Sequence, residues 1–157
     1  MGWINFYGLF FVVLLLIPNV IFAVKHRDGF ENLYENKFTE TAEQIGRFGS
    51  FIFMIFCPPF LRRGWWFDGA QTAFLAVGSV LAALYILGWI VFRKTDSVAK
   101  SLVLSIVPSL LFLCCGVLTL NIPLLVCAVV FAPSHIIISF KNAVIKSKNA
   151  EEAKSQQ

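Results

Sequence analysis

Residues 3–24, 71–92 and 101–140 contain no Asp, Glu, Lys or Arg. Runs of this kind limit the fold severely, because about 20 apolar residues in an α-helix cross the ~30 Å hydrocarbon core of a bilayer. The third run is long enough to cross twice. Leu120-Asn121-Ile122-Pro123 divides it with a tight hairpin, and Pro123 suits the first turn of the helix that follows. A shorter apolar run covers residues 48–61, or 43–61 when counted from Glu43. The sequence therefore predicts an all-α integral membrane protein, a five-span transmembrane helical bundle with spans at about 3–24, 43–61, 71–92, 101–119 and 122–140. Residues 1–140 form one transmembrane domain in this reading, and residues 141–157 form a polar cytoplasmic tail, helical at first and then fraying. At 58% hydrophobic, the composition lies above the roughly 45–50% of soluble domains.

Charge placement orients the spans. Eleven of the thirteen Lys and Arg residues fall on one side of a five-span layout. They are Lys25, Arg27, Lys37 and Arg47 around the first loop, Arg93, Lys94 and Lys100 around the third, and Lys141, Lys146, Lys148 and Lys154 in the tail. Only Arg62 and Arg63 fall on the other side. Cytoplasmic flanks carry the excess of Lys and Arg in membrane proteins, so the N-terminus is expected outside and the C-terminus in the cytoplasm. The net charge of +4 is thus explained by orientation, and no nucleic acid partner is expected. The first run lacks a basic n-region and is read as a retained helix, not a signal peptide. Compact loops and the lack of an Asn-x-Ser/Thr sequon suit a bacterial plasma membrane.

The connector between the first two spans has its own pattern. Phe30, Leu33, Tyr34, Phe38, Ala42 and Ile45 recur at helical spacing, with Glu31, Glu35 and Glu40 mostly off that stripe. This predicts an amphipathic helix on the cytoplasmic side, entered through a turn at Asp28-Gly29, and packed under the bundle because its acidic content disfavours anionic lipid. On the opposite side, Trp65, Trp66 and Phe67 suit the headgroup region.

Polar residues inside the spans are concentrated at one depth. His135 lies six residues before Lys141, and Asn19 six before Lys25, about 9 Å of helix in each case. Both follow a proline, Pro133 and Pro18, which leaves a carbonyl of the preceding turn without its helical donor. Ser105 and Ser109 share a face of the fourth span, Glu43 and Arg47 stand four apart in the favourable acid-first order, and Tyr85 and Trp89 lie in the same half of the third. Gly46, Gly49 and Ser50 would let another helix approach closely. The expectation is a polar pocket in the cytoplasmic half, lined by Asn19, Glu43, Arg47, Tyr85, Ser105, Ser109 and His135. Structural hydrogen bonding between helices explains the same residues at about 0.6–2 kcal/mol each, but ionisable groups at membrane depth favour a functional site.

Three function classes follow. The first is binding or transport of a small molecule or lipid, with Arg47 holding an anionic group, Glu43 orienting it, and His135 responding to protons because imidazole titrates near physiological pH. A homo-oligomer or larger membrane partner would complete so small a bundle. The second is an accessory subunit of a larger membrane complex, for which Ala76, Gly78, Ser79, Ala82 and Ala83 offer a small-residue face. The third, a lipid-modifying enzyme with His135 as acid or base, has no GxSxG, HExxH or paired acidic motif behind it. No cofactor is implied. Cys57, Cys114, Cys115 and Cys127 show no CxxC spacing and read as small apolar residues.

Overall fold

The computed structural model describes residues 3–25, 32–58, 60–61, 63–93, 95 and 97–155, apart from the Lys154 side chain. The expected turn at Asp28-Gly29 and the residues His26, Arg27, Phe30, Glu31, Arg62 and Lys94 lie outside this set. Five helices follow in order: α1 (Phe6–Lys25), α2 (Lys37–Ile55), α3 (Ala70–Val91), α4 (Val98–Leu118) and α5 (Ile122–Ser155). Four of them, α1, α3, α4 and α5, are long and apolar enough to cross a bilayer. The chain is an α-helical membrane protein.

Local chemistry sets the helix starts. Asn5 Oδ1 accepts the Gly8 N–H, Asn36 Oδ1 accepts from Thr39, Ser97 Oγ from Lys100, and Asn121 Oδ1 from Leu124. Each satisfies one of the amide donors that a first helical turn leaves open. Gly69 enters α3 with φ 94°, a left-handed conformation suited to glycine.

The helices close into a ring. α1 packs on α2 and α3, α3 on α4, α4 on α5 and α5 on α2, and α2 also touches α4 across the middle. The α2–α5 seam is the most extensive. A methyl group at Gly46 would come 2.6 Å from Phe131 N, and one at Gly49 would come 2.5 Å from Cys127 Sγ. Both glycines therefore bring α2 onto α5, as their small size suggests. The core contains Phe11, Phe74, Leu111, Phe112 and Phe131, with Phe112 edge-on to Phe51 and Phe131. Large apolar residues such as Phe10, Ile17, Phe48, Leu87 and Val126 face outward, as lipid contact requires.

One end of the ring carries Lys25, Lys37, Arg93, Lys100 and Lys141 and is called the basic end. The other, the hairpin end, is closed by the α4–α5 turn and by a backbone bridge. Asn5 N donates to Ile55 O at 2.8 Å and Cys57 N to Trp3 O at 2.9 Å. The α4–α5 turn needs Leu120 at φ 44°. Asn121 stabilises it further, its Nδ2 reaching Phe53 O at 2.8 Å and Cys57 Sγ at 3.1 Å. The four cysteines form no disulfide.

Two expectations change. α2 is a single helix from Lys37 to Ile55, not a surface helix followed by a span at 43–61. Leu33, Tyr34 and Glu35 precede it outside any helix. Its faces are also reversed: Phe38 and Ile45 are 84% and 65% exposed, while Glu43 is buried at 3%. The stripe is expected to pack under the bundle, whereas α2 turns its small and polar side, Glu43, Gly46 and Ser50, to the neighbouring helices and leaves Phe38 and Ile45 outside. The tail differs too, since α5 continues as one helix to Ser155 rather than fraying.

Candidate functional site

The α2–α5 seam creates the first cluster. Because Gly46 lies against Phe131, Glu43 one turn earlier on α2 meets His135 one turn later on α5. Glu43 Oε1 stands 3.0 Å from His135 Nδ1 and accepts a second bond from the Arg47 guanidinium. The His135 ring stacks on Phe131, with centroids 4.6 Å apart and planes 18° from parallel. The Glu43 side chain is only 4% exposed, that of His135 20% and that of Arg47 36%, so a buried carboxylate joins two partly accessible nitrogen groups.

The second cluster joins α1 to α3. Tyr85 Oη donates to Asn19 Oδ1 at 3.1 Å, and Asn19 Nδ2 donates back to Leu15 O at 2.9 Å. Trp89 packs edge-on to Tyr85 and tilted against Phe22. The Lys100 ammonium lies 5.3 Å from the Phe22 ring centroid and 5.9 Å from that of Trp89, a cation–π arrangement on a residue only 8% exposed.

Five of the seven residues singled out by the sequence thus meet across helices: Glu43, Arg47 and His135 in one cluster, Asn19 and Tyr85 in the other. Ser105 and Ser109 are buried at the same end but turn to their own helix, donating to Leu102 O at 3.1 Å and Ser105 O at 2.7 Å. Thr119 and Ser134 use their hydroxyls in the same way. Ser50 departs from this habit. It is fully buried, three residues from Arg47 and seven from Glu43 on one helical face, and its hydroxyl has no hydrogen-bond partner. The Trp89 indole lies against Tyr85.

Three polar contributions escaped the sequence reading. By charge Lys100 reads as a loop cation, yet it stands in the first turn of α4, one residue before an uncharged run, and is drawn into the bundle with it. Asn121 and Asn142 were passed over as well. Asn121 was legible as a helix cap before Ile-Pro, whereas Asn142 acts at long range: its Oδ1 accepts from Leu33 N at 3.0 Å and Tyr34 N at 2.7 Å. No sequence signal anticipates such a pairing.

Among the described residues, no three His, Cys, Asp or Glu side chains converge as a metal site. A separate apolar groove of about 320 Å³ lies between α3 and α4 near the hairpin end, lined by Trp66, Val77, Leu113, Cys114, Val117 and Leu118. The fold defines the class as an α-helical membrane protein. No known family, characterised protein or solved structure matches this chain.

Proposed function

We propose that this chain is a five-span membrane protein that binds a small molecule or lipid in the cytoplasmic half of its bundle, through Glu43, Arg47 and His135 with Asn19 and Tyr85 opposite. Support for the fifth span comes from the pairing of α2 with α5. The two are linked from Asn121, which bonds Phe53 O, to Asn142, which bonds Leu33 and Tyr34. Residues 121–142 of helix measure about 31 Å, close to the thickness of a hydrocarbon core. α2 therefore crosses beside α5 although its first half is polar. In this reading the bias of Lys and Arg orients the chain with its N-terminus outside and its C-terminus in the cytoplasm, and a bacterial plasma membrane is the compartment proposed.

The observation that carries the binding reading is Glu43, a carboxylate almost fully buried between α2 and α5 and shared by His135 and Arg47. A buried ion pair is weak support for stability, because desolvation offsets most of its attraction. Ionisable groups at this depth in membrane proteins generally mark a pathway or a ligand. Arg47 uses a single partner among the described residues and keeps further N–H groups for an anionic group.

Native mass spectrometry of the protein, gently extracted from its own membrane, tests this. Wild type is expected to retain a small molecule or lipid that folded Asn19→Ala and His135→Ala variants lose. A bare chain in all three would sink the proposal. A protein partner retained by all three would instead favour an accessory subunit, for which the exposed face of Ala76, Ser79 and Ala83 on α3 is the supporting observation.

A further inference from the structure

The register of α2 against α5 fixes the depth of the charged cluster. Asn121 reaches Phe53, Gly49 lies against Cys127, Gly46 against Phe131, Glu43 meets His135, and Asn142 holds Leu33 and Tyr34. His135 is fourteen residues from Asn121 and seven from Asn142, about 21 and 10 Å of helix. With α2 crossing beside α5, Glu43, His135 and Arg47 therefore sit inside the hydrocarbon layer, where an uncompensated charge is costly.

The charges of the cluster can be summed. Arg47 stays a cation at any working pH, and the Glu43 carboxylate accepts from both nitrogen neighbours. A carboxylate offers no proton, so His135 Nδ1 is the donor in that pair and Nε2 is the nitrogen that takes up a proton. With His135 neutral, Glu43 and Arg47 cancel, and an added anion leaves the site negative. With His135 protonated, the three groups sum to one positive charge.

The surrounding helices leave this sum unchanged at the same depth. α4, which also packs on α5, has no charged or titratable residue from Ser101 to Leu113, and the Ser105 and Ser109 hydroxyls donate to their own helix. Lys100, at the start of α4, lies against the Phe22 and Trp89 rings. α5 itself adds the Cys127 thiol, eight residues toward the hairpin end, and Lys141, exposed at the basic end. α1, which packs on α2, has Tyr7 alone between Phe6 and Val24, and Tyr85 of α3 donates to Asn19.

We infer that the site takes up a singly charged oxyanion together with one proton, the proton on His135 Nε2 and the anion on the Arg47 guanidinium. Imidazole is the group of this cluster that ordinarily titrates near neutral pH. Once it is protonated, His135 matches Glu43, and the Arg47 fork is released to a carboxylate or a phosphate diester, which it fits with two bonds. Arg47 is the most exposed of the three side chains and Glu43 the least, so an incoming anion meets the guanidinium and not the carboxylate. By linkage, lower pH tightens the anion, and the bound anion brings a proton with it. This rests on the binding reading above and names the charge class of its ligand. A free organic acid and the phosphate of an anionic lipid share that chemistry, and the test separates them.

The full chain in neutral detergent is titrated calorimetrically with hexanoate and with dihexanoyl phosphatidylglycerol, in buffers of different ionisation enthalpy. Between about pH 7 and pH 8, close to one proton should be taken up per anion, and affinity should fall roughly tenfold per pH unit. The tighter of the two probes names the source, an acid from water or a lipid head. His135→Asn keeps a donor toward Glu43 but cannot titrate; it should bind weakly, without proton uptake or pH dependence, which also excludes His26. Arg47→Gln should abolish binding. If either variant fails to fold, the wild-type proton count decides alone, and binding without proton uptake overturns the inference. Full binding in Arg47→Gln, unchanged uptake in His135→Asn, or no binding of either probe at about 10 mM would overturn it as well. These results leave the binding reading standing if a native ligand still depends on Asn19 and His135; loss of that dependence defeats both.

Discussion

The two ends of the helical ring use polar side chains in opposite ways. At the hairpin end, Asn5 caps its own helix, Thr119 bonds Cys115 O, and Asn121 combines a cap with a bond to Phe53 O. Most of these bonds end on backbone, so they close turns and leave little over. At the basic end, Glu43, His135 and Arg47 bond one another across α2 and α5, and Tyr85 bonds Asn19 across α3 and α1. Part of Arg47 is left with unused donors there, and further along α2 the buried Ser50 hydroxyl has no partner. A polar group that ends on backbone is explained by folding alone. A side-chain network with donors to spare needs a further reason, since an unmatched buried polar group costs about 1–3 kcal/mol.

Four substitutions would break or sharpen this contrast, given from the largest expected effect to the smallest. Gly46→Val should be the most damaging, because its branched side chain meets the Phe131 backbone and pushes α2 off α5. A loss of about 3 kcal/mol or more is expected in denaturant titration of the detergent-solubilised protein, at the upper end for overpacking. A shift below about 1 kcal/mol would mean that the α2–α5 seam is looser than described. Asn121→Ala removes a cap and leaves Phe53 O with only the weak Cys57 thiol donor, which should cost about 2 kcal/mol. Ligand retention should be unaffected, and lost binding in a folded Asn121→Ala protein would erase the distinction between the two ends.

The third is a double-mutant cycle between Glu43→Gln and His135→Ala. A coupling of about 1–2 kcal/mol is expected, typical of hydrogen bonds between membrane helices. Additive effects would show that the contact contributes nothing to stability. The smallest effect belongs to Ser50→Ala. Ser109→Ala should cost a few tenths of a kcal/mol, whereas Ser50→Ala should be neutral or mildly stabilising, because it removes a buried donor that has no partner. A clear loss of stability in Ser50→Ala would show that its hydroxyl has a partner after all.

Residue patterns made part of this site readable in advance. The shared depth of His135 and Asn19 followed from counting to Lys141 and Lys25, and the Glu43–Arg47 contact followed from i,i+4 spacing, which needs only helix geometry. The cross-helix pairs were not readable. Nothing in the sequence says that Glu43 faces His135, or that Tyr85 faces Asn19 while Ser105 and Ser109 turn to their own carbonyls. These depend on the order of helices around the ring. The difference at α2 has another origin: helical spacing finds the stripe of Phe38, Ala42 and Ile45, but not which side of the helix meets its neighbours, and Phe38 and Ile45 face outward.

The sequence by itself determined the class of protein, since charge-free runs of membrane length leave the backbone no stable state in lipid except helices that satisfy their own hydrogen bonds. It also determined where α1, α3 and α4 begin and end, through caps and charges that act within a few residues. Only the tertiary structure decided that α2 lies along α5, that Glu43 is buried between His135 and Arg47, and that Tyr85 meets Asn19. The physical reason is range. Helix propensity and hydropathy are local sums along the chain, whereas the site is made by glycine-scale contacts between helices about ninety residues apart, and those depend on which faces meet.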